Sequence, residues 1–262
     1  MLEAWLVGVA WVFAMMTVLW LVSLRIEDVS IIDIAWGPAF AVAAWSYALR
    51  GDAVLDSPVR LLPLVLVTVW ALRLALHIGL RHQGEDRRYQ KMRKAVGATF
   101  RWRSLVTVFF LQAALASVIG LPLLFALLAP RPDTWTALDV AGLLIWLVGF
   151  SFEALGDWQL TRFRADSSNR GKVLNTGLWR YTRHPNYFGD ACLWWGFGVL
   201  ALNAQGGLML HVATVFSVLL MTFFLLRVSG VTLLERDISE RRPAYREYIE
   251  RTSAFIPWPP KA

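Results

Sequence analysis

The chain has 262 residues, of which 57% are hydrophobic and 14 are tryptophan, and its formal net charge is +7. Water-soluble domains contain about 45–50% apolar residues, so the composition indicates an all-α, polytopic membrane protein. The positive charge does not indicate nucleic-acid binding, because the basic residues lie in short loops and no nucleic-acid-binding module is recognisable. One cysteine and four histidines exclude an internal disulfide, a zinc site and a histidine-rich iron centre, so we expect no metal.

Seven segments are predicted to cross the membrane as helices, because each approaches the roughly 20 apolar residues that a span requires. They cover residues 3–24, 29–49, 59–80, 105–128, 137–156, 188–203 and 208–230. The sixth is short and is interrupted by Gly196 and Gly198. The first lacks a basic leader and a cleavage site, so we interpret it as a retained helix. A short amphipathic cytoplasmic helix is predicted in the polar tail, within 234–257.

The distribution of Lys and Arg predicts the topology. With the N-terminus outside, the cytoplasmic loops and the C-terminal tail contain 22 of the 26 basic residues. This asymmetry follows the positive-inside rule and predicts an N-out, C-in protein whose basic loops contact lipid headgroups. No internal repeat or flexible linker is visible, so we expect one integral-membrane domain over residues 1–262, and we favour a monomer.

A dense polar segment runs directly into the predicted sixth span. Arg183 and His184 are cationic or titratable donors, and Pro185 suits the first turn of the helix that follows. Asn186 and Asp190 are four residues apart and share one face of that helix. Cationic donors at a helix N-terminus suit a phosphate-bearing ligand. The alternative is a juxtamembrane anchor whose polar side chains only reach the headgroups.

Ionisable side chains also occur within the apolar spans, where each costs at least about 2.5–3.5 kcal/mol and usually marks function. Asp33 lies in the second span, and Arg73, His77 and Arg81 form a stripe with a four-residue spacing on the third. Tyr89, in the charged loop after that span, is predicted to belong to an ordered lid. The later spans and their ends contribute Glu153, Asp157, Asp190, Arg227 and Glu235. We predict that five helices direct these groups into one cytosol-facing cavity; the alternative is that the charges pair and only lock the bundle.

These motifs together resemble the membrane-bound steroid 5-alpha-reductase family. The resemblance is carried by Gly-Leu-Trp-Arg-Tyr-Thr-Arg-His-Pro-Asn-Tyr-Phe-Gly-Asp, ending at Asp190, by Asp-Ile-Ala-Trp-Gly, beginning at Asp33, and by a tail with Glu235 and Phe-Ile-Pro. The chain looks closest to the bacterial branch formerly described as a domain of unknown function. The resemblance covers nearly the whole chain. It implies an NADPH-dependent enzyme that reduces the carbon–carbon double bond of an α,β-unsaturated ketone, such as a 3-oxo-Δ4 steroid, arriving from the bilayer.

The resemblance also implies which residues bind NADPH. The positions that fall near the family's cofactor contacts are Asp157, Arg164, Lys172, Tyr181, Asn186, Asp190, Arg227 and Glu235. The other residues assigned to the cofactor site are Arg73, Arg81, Tyr89, Arg183, His184 and Tyr187. Arginine is apt for the phosphates because its planar fork pairs two-pronged with phosphate oxygens.

The catalytic residues are predicted from the same resemblance. The animal enzymes hold the substrate ketone with a Glu–Tyr pair, and Asp33 is the best match to the Glu. The matching Tyr is not placed, since the nearest positions in the third span are Trp70 and His77. Hydride addition puts negative charge on the carbonyl oxygen, which a protonated carboxylic acid can stabilise, and burial favours that neutral form. We therefore predict Asp33 and His77 as catalytic, with His77 as the alternative donor or as the partner that sets the proton on Asp33.

Two other functions are compatible with parts of the sequence. The Arg-His-Pro-x-Tyr core also occurs in isoprenylcysteine carboxyl methyltransferases, which bind S-adenosylmethionine. The number of arginines favours the reductase, because an adenosylmethionine pocket has less anionic charge to neutralise. A lipid-binding or transport protein is the third class, but neither an inverted repeat nor paired broken helices are visible. We expect a bacterial inner-membrane protein whose cofactor site faces the cytoplasm.

Overall fold

The computed structural model of the protein describes residues 1–51, 54–228, 230–235 and 245–261. Within these ranges the chain is helical and contains no strand, which confirms the all-α prediction. The chain divides into two compact units, Met1–Trp135 with Asn203–Ala213 and Thr136–Leu202 with Thr214–Ala262. The expectation of a single domain concerns independent folding and stays a prediction.

Three long helices open the first unit. They are α1 (Leu2–Ile26), α2 (Ile31–Ala48) and α3 (Pro58–Arg81). α1 ends because Glu27 adopts a left-handed conformation, with φ of 56°, and returns its N–H to an earlier carbonyl. α3 begins at Ser57, whose hydroxyl oxygen accepts a hydrogen bond from the backbone N–H of Arg60. Pro58 follows Ser57 and has the backbone angle of a first helical turn. Local capping therefore sets the ends of these apolar helices.

A continuous helical stretch, Arg87–Ile119, corrects the predicted span at 105–128 at both ends. It comprises α4 (Arg87–Val96), a 3-10 turn, α5 (Phe100–Ser104), a π-helical turn and α6 (Leu111–Ile119). Most of the predicted loop before 105 is therefore helix. Pro122 ends the stretch, because proline lacks an N–H and its ring clashes with the carbonyl four residues earlier. The chain then continues as α7 (Leu121–Leu128).

The second unit is built around two antiparallel helices, α8 (Ala137–Ala165) and α9 (Pro185–Ala201). Glycines set the distance between them. A Cβ on Gly149 would lie 2.6 Å from the carbonyl oxygen of Gly189, and a Cβ on Gly189 would lie 2.5 Å from that of Gly149. Gly142 and Gly196 face each other similarly. The two backbones therefore touch, as small residues allow in membrane helices. Gly196, which interrupts the predicted sixth span, is a packing residue.

Three helices complete the described chain. α10 (Gly207–Phe223) continues into a π-helical turn at Phe224–Val228 and precedes α11 (Val231–Glu235) and α12 (Tyr245–Arg251). α12 lies within the predicted tail helix, whose part at 236–244 is outside the described residues.

The membrane character is confirmed by helices that are long and apolar enough to cross a bilayer. Six such helices occur in the described ranges, namely Leu2–Ile26, Ile31–Ala48, Pro58–Arg81, Arg87–Ile119, Ala137–Ala165 and Gly207–Val228. The predicted sixth span corresponds to α9, which has 17 residues and is not among them. The count of seven and the N-out, C-in topology stay predictions.

Candidate active site

Asp33 lies in the first turn of α2 and accepts hydrogen bonds from two residues of α4. The Tyr89 hydroxyl donates to Asp33 Oδ1 at 2.8 Å, and Arg88 Nη2 donates to Oδ2 at 2.8 Å. The Tyr89 oxygen also accepts a long hydrogen bond, 3.4 Å, from Gln112 Nε2 on α6. The Tyr89 side chain is buried, whereas Asp33 is half-buried. The result is a carboxylate–phenol pair at one end of a membrane-spanning helix.

Tyr89 occupies the position next to Asp33 that the sequence leaves open. The sequence assigns Tyr89 to a cofactor lid and offers Trp70 or His77 as the partner of Asp33. In the structure Trp70 is fully buried against the ring of Phe40, with centroids 5.8 Å apart. His77 Nε2 instead lies 2.9 Å from Arg81 Nη1. Tyr89 belongs to α4, and its predicted membership of an ordered lid stays a prediction.

Arg73, His77 and Arg81 all lie on α3 at the predicted four-residue spacing, so they share one face of that helix. The contact between His77 and Arg81 has the predicted four-residue spacing. Arg81 is exposed, and Arg73 is half-buried two turns earlier in α3. Their assignment to catalysis or cofactor binding stays a prediction.

Asp86 fixes the start of α4 and the direction of Arg88. Its Oδ1 accepts the backbone N–H of Arg88 at 2.8 Å and Arg88 Nε at 2.9 Å. Burial opposes ionisation of Asp86, but the two hydrogen bonds from Arg88 and the charges of Arg88 and Arg87 outweigh it and lower the Asp86 pKa. The guanidinium is thus held between Asp86 and Asp33, so it can stabilise Asp33 as a carboxylate.

A set of polar residues, which we name the clamp, joins the segment before α2 to the segment before α4. Its members are Asp28, Ser30, His82, Glu85 and Asp86. Asp28 Oδ1 accepts the backbone N–H of Ser30 at 2.8 Å, and Asp28 Oδ2 lies 2.7 Å from His82 Nε2. The Ser30 hydroxyl accepts the Asp86 N–H at 3.0 Å. The clamp therefore positions the helix starts that hold Asp33 and Tyr89.

Glu85 adds a charged anchor to the clamp. Its Oε1 accepts the Val29 N–H at 3.1 Å, and both of its oxygens accept from Arg93, at 2.7 and 2.9 Å. The sequence-based site omits Asp28, Ser30 and His82. The one local signal for Asp28 and Ser30 is the pattern Asp-x-Ser directly before a helix. This pattern is typical of side chains that bond to nearby backbone.

The second unit contains a buried ion-pair cluster at the N-terminus of α9. Arg183 Nε and Nη2 donate to the two oxygens of Glu235 at 2.7 and 2.9 Å. His184 Nε2 lies 2.9 Å from Glu235 Oε1, and the His184 ring stacks on Tyr187 with centroids 5.7 Å apart. Burial opposes ionisation of Glu235, but hydrogen bonds from His184 and Arg183 and their charges lower its pKa to about 2.

The remaining donors of Arg183 hold the C-terminal segment. Arg183 Nη1 donates to the carbonyls of Ile249 and Thr252 at 3.0 and 2.5 Å. Its backbone N–H donates to the Ser253 carbonyl at 2.9 Å. The side-chain bonds use four of the five guanidinium N–H donors of Arg183, so two-pronged pairing with a phosphate would require Arg183 to give up a partner. Its predicted role as a phosphate ligand stays a prediction, whereas its docking of the tail is directly visible.

Three further hydrogen bonds join the segment before α9 to the C-terminal segment. The Trp258 N–H donates to the carbonyl of Tyr181 at 2.9 Å, and the Thr182 hydroxyl donates to the Phe255 carbonyl at 2.8 Å. The Tyr248 hydroxyl donates to the carbonyl of Trp179. Burial raises the pKa of Tyr248, so the phenol stays neutral and keeps this bond at physiological pH.

Asp157 and Asn186, predicted as cofactor residues, meet between α8 and α9. Asn186 Nδ2 donates to Asp157 Oδ1 at 3.1 Å. Asp157 is buried one turn from Glu153, and Asp190 is buried one turn beyond Asn186. Among the described residues, the buried Asn186 Oδ1 accepts no hydrogen bond. This amide oxygen can therefore accept a hydrogen bond from a ligand.

The other cationic positions predicted for the cofactor lie at the surface of the second unit. Arg164, Lys172 and Arg227 are exposed, and so is the side chain of Tyr181. The described residues contain no cluster of three or more His, Cys, Asp or Glu side chains suited to a metal ion. Whether the groups from both units line one cavity stays a prediction.

The model of one protein family, described as "Protein of unknown function (DUF1295)", matches residues 19–252. The chain belongs to the DUF1295 family. The match spans most of the chain and includes Asp33, Tyr89, Arg183 and Glu235. Both residue groups described above therefore lie within the DUF1295 region.

The relatives of this DUF1295 protein match it over very different fractions of its length. It is 26% identical to "Uncharacterized protein C594.04c" of Schizosaccharomyces pombe, over 96% of this chain and 79% of the relative. It is also 31% identical to "3-oxo-5-alpha-steroid 4-dehydrogenase 1" of Mus musculus, over 26% of each chain. The rat protein of the same name matches equally, at 31% identity over 26% of each chain. No solved structure matches.

Proposed function

We propose that this protein is an NADPH-dependent membrane reductase of the carbon–carbon double bond in an α,β-unsaturated ketone lipid, with 3-oxo-Δ4 steroids as the preferred substrate class. The observation that carries the proposal is the hydrogen bond between Tyr89 and Asp33 at 2.8 Å. The partial similarity to 3-oxo-5-alpha-steroid 4-dehydrogenase 1 supports the same reaction class. The substrate enters from the bilayer, as the apolar helices of the first unit favour.

On substrate binding, the Tyr89 O–H turns from Asp33 and donates its hydrogen bond to the substrate ketone. When hydride adds to the β-carbon, negative charge develops on the ketone oxygen, and a fixed O–H donor stabilises it. In the structure Asp33 accepts hydrogen bonds from both Tyr89 and Arg88 and so positions the phenol; when the single Tyr89 O–H turns to the ketone, Asp33 keeps its bond from Arg88. In this proposal the phenol is the donor to the ketone, a role that the sequence analysis gives to Asp33. The final proton on the α-carbon comes from solvent.

The residues of the second unit fit a nicotinamide nucleotide. The exposed Arg164, Lys172 and Arg227 can hold its phosphates, because guanidinium and ammonium groups form charge-assisted bonds to phosphate oxygens. The buried Asn186 Oδ1 suits the N–H of a carboxamide. Asp157 holds the Asn186 amide in the required orientation. When bound, NADPH supplies the hydride. We place the protein in the bacterial inner membrane with this site on the cytoplasmic side.

A cofactor comparison tests the nucleotide. NADPH should raise the thermal unfolding temperature of the purified protein, and S-adenosylmethionine should not. Stabilisation by S-adenosylmethionine alone would instead identify a methyltransferase, and stabilisation by neither would favour a lipid-binding or transport protein.

A turnover assay tests the reaction. Protein supplied with NADPH and a 3-oxo-Δ4 steroid should lose NADPH absorbance and give a product heavier by two hydrogens. Arg164→Ala should raise the KM for NADPH more than that for NADH, if Arg164 contacts the 2′-phosphate. Arg162→Ala is the matched control, because Arg162 is an exposed arginine on the same helix whose guanidinium lies over the Trp158 ring. An equal effect of the two substitutions would remove Arg164 from the cofactor site.

A further inference from the structure

A cavity that does not include Asp33 or Tyr89 lies in the first unit between the C-terminal end of α1 and the α4–α5 region. Its volume is about 320 Å³. Its charged lining residues are Glu27, Arg93 and Arg101. Ligand pockets typically start at about 300 Å³, so this volume suits a small polar group and is too small for a dinucleotide.

The cavity lies at the depth where lipid headgroups are expected. Exposed apolar side chains follow α1 as far as Leu21, Val22 and Ile26, which places the lipid-facing surface immediately before the cavity. Trp102 is 61% exposed beside the cavity on α5. Tryptophans concentrate at the boundary between the hydrocarbon core and water. The cavity therefore opens where the apolar surface of the first unit ends.

The cavity has a fixed frame on one side. Arg93 is held by Glu85 at 2.7 Å, and its Nη2 also donates to the Glu27 carbonyl at 3.2 Å. On the other side, the Trp20 indole donates to the Arg101 carbonyl at 2.9 Å, and the two indoles of Trp20 and Trp102 lie 5.7 Å apart. These bonds connect α1 to α4 and α5, so the space between them does not depend on a single flexible side chain.

Two opposite charges at this cavity are available for a ligand. Neither the Glu27 carboxylate nor the Arg101 guanidinium forms an ion pair with any residue that the structure describes, although the Glu27 charge interacts at longer range with Arg93, which is paired with Glu85. Arg101 lies over the Trp102 ring, 5.3 Å from its centroid, an arrangement that leaves guanidinium N–H groups for an anion. A ligand that offers a phosphate to Arg101 and an ammonium to Glu27 would compensate both charges.

We propose that this cavity binds the phosphoethanolamine headgroup of a membrane phospholipid. The phosphate binds Arg101, and the primary ammonium donates hydrogen bonds to the Glu27 carboxylate. Phosphatidylglycerol lacks the ammonium. Phosphatidylcholine has a quaternary ammonium with no N–H to donate. The charges of Glu27 and Arg101 thus predict a preference for phosphatidylethanolamine over both.

Lipid retention tests this proposal. The full-length protein is reconstituted into nanodiscs of equimolar phosphatidylethanolamine, phosphatidylglycerol and phosphatidylcholine, extracted into detergent and analysed by native mass spectrometry. We expect one phosphatidylethanolamine retained with about tenfold preference, the effect of roughly one charge-assisted contact. Retention of the three lipids in equal amounts would overturn the proposal.

Two variants separate the two contacts. Arg101→Gln should reduce retention of phosphatidylethanolamine and phosphatidylglycerol together, because both carry the phosphate. Glu27→Gln should remove only the preference for phosphatidylethanolamine. Arg103→Gln is the matched control, since Arg103 is an exposed arginine on α5 outside the cavity. An Arg103 effect equal to that of Arg101 would show only nonspecific attraction to the surface and would overturn the site.

Two further measurements test whether the ligand is a soluble molecule and whether each variant is folded. Soluble phosphoethanolamine should not displace the retained lipid at equal concentration; full displacement would assign the cavity to a soluble zwitterion and overturn the lipid proposal. Thermal unfolding of each variant shows whether it is folded, and a folded Arg101→Gln protein with unchanged lipid preference contradicts the proposal. None of these measurements depends on reductase activity.

Discussion

The hydroxyl of Tyr89 donates a hydrogen bond to the Asp33 carboxylate at 2.8 Å, across 56 positions of the chain. The contact joins the first turn of α2 to the first turn of α4. Arg88, the preceding residue, reaches the second oxygen of the same carboxylate. One carboxylate thus orders both a phenol and a guanidinium, a unit suited to binding a carbonyl oxygen that becomes negatively charged.

Removal of the Tyr89 hydroxyl tests its role as the ketone donor. We expect Tyr89→Phe to lower kcat by about 100-fold, the usual effect of losing one donor to a developing oxyanion. The measurement is steady-state turnover of a 3-oxo-Δ4 steroid with saturating NADPH. Tyr47→Phe is the control, because Tyr47 is a buried tyrosine on α2 outside this hydrogen-bond network. Unchanged kcat in a folded Tyr89→Phe protein would remove Tyr89 from the reaction.

The clamp should act on turnover through position and not through contact with substrate. Single substitutions Asp28→Ala and His82→Ala should each lower kcat, and the double variant should lose little more than either, because both break the same 2.7 Å contact. The coupling free energy expected from such a cycle is about 0.5–3 kcal/mol. The KM for NADPH should not change. His211→Ala, at a half-buried histidine of α10, controls for loss of an imidazole. Fully additive effects would contradict the clamp.

The sequence predicts the class of the fold well because its signals are local. Runs of apolar residues identify the membrane helices, and charges within those runs identify Asp33, Asp157 and Asp190 as unusual. The bounds of the fourth span are wrong because two local effects compete with hydropathy. Asp86 begins a helix inside a charged segment, and Pro122 interrupts an apolar one.

The site is predicted less well because its pairings are long-range. The resemblance offers Trp70 or His77 on α3 as the partner of Asp33, but it does not show that Tyr89 on α4 reaches the Asp33 carboxylate. Arg183 is also predicted from the sequence to bind phosphate. Its partners, Glu235 and the carbonyls of the C-terminal segment, are too distant in the chain to be read from a local pattern.

The glycine contact between α8 and α9 predicts a large effect from a small substitution. Gly149→Ala would place a methyl group 2.6 Å from the Gly189 carbonyl oxygen, so the helices must move apart. We expect a loss of about 1–3 kcal/mol in unfolding free energy, measured by denaturant titration in detergent. Gly79→Ala is the control within α3, because its nearest neighbour would be Ile34 Cγ2 at 3.8 Å, an ordinary contact. Equal stability of the two variants would refute close backbone packing.

The depressed pKa of Glu235 predicts how docking of the tail depends on pH. Its folded pKa of about 2 lies below the ordinary value of 4.5, so the stabilisation is complete above pH 4.5 and is lost as the pH falls towards 2. Limited proteolysis of the C-terminal segment across this range should show increasing cleavage.

Glu235→Gln is the control for this pH dependence. It removes the charge that pairs with the buried Arg183, so its tail should be cleaved more readily at neutral pH, and the wild-type increase below pH 4.5 should be smaller. The free energy that holds the C-terminal segment in place should fall by about 1.5–3 kcal/mol, which is typical of a hydrogen bond to a charged group. Identical cleavage profiles for wild type and variant would contradict the assignment of this transition to Glu235.

Deuterium transfer tests the proposed reductase function most directly. NADPH deuterated at the transferable carbon, in each of its two stereochemical forms, is incubated with purified protein and a 3-oxo-Δ4 steroid, and the product is analysed by mass spectrometry and NMR. The proposed function predicts deuterium at the β-carbon of the ketone from one form and not from the other. A reduced product without deuterium, or no reduced product from a folded, NADPH-binding protein, would contradict it.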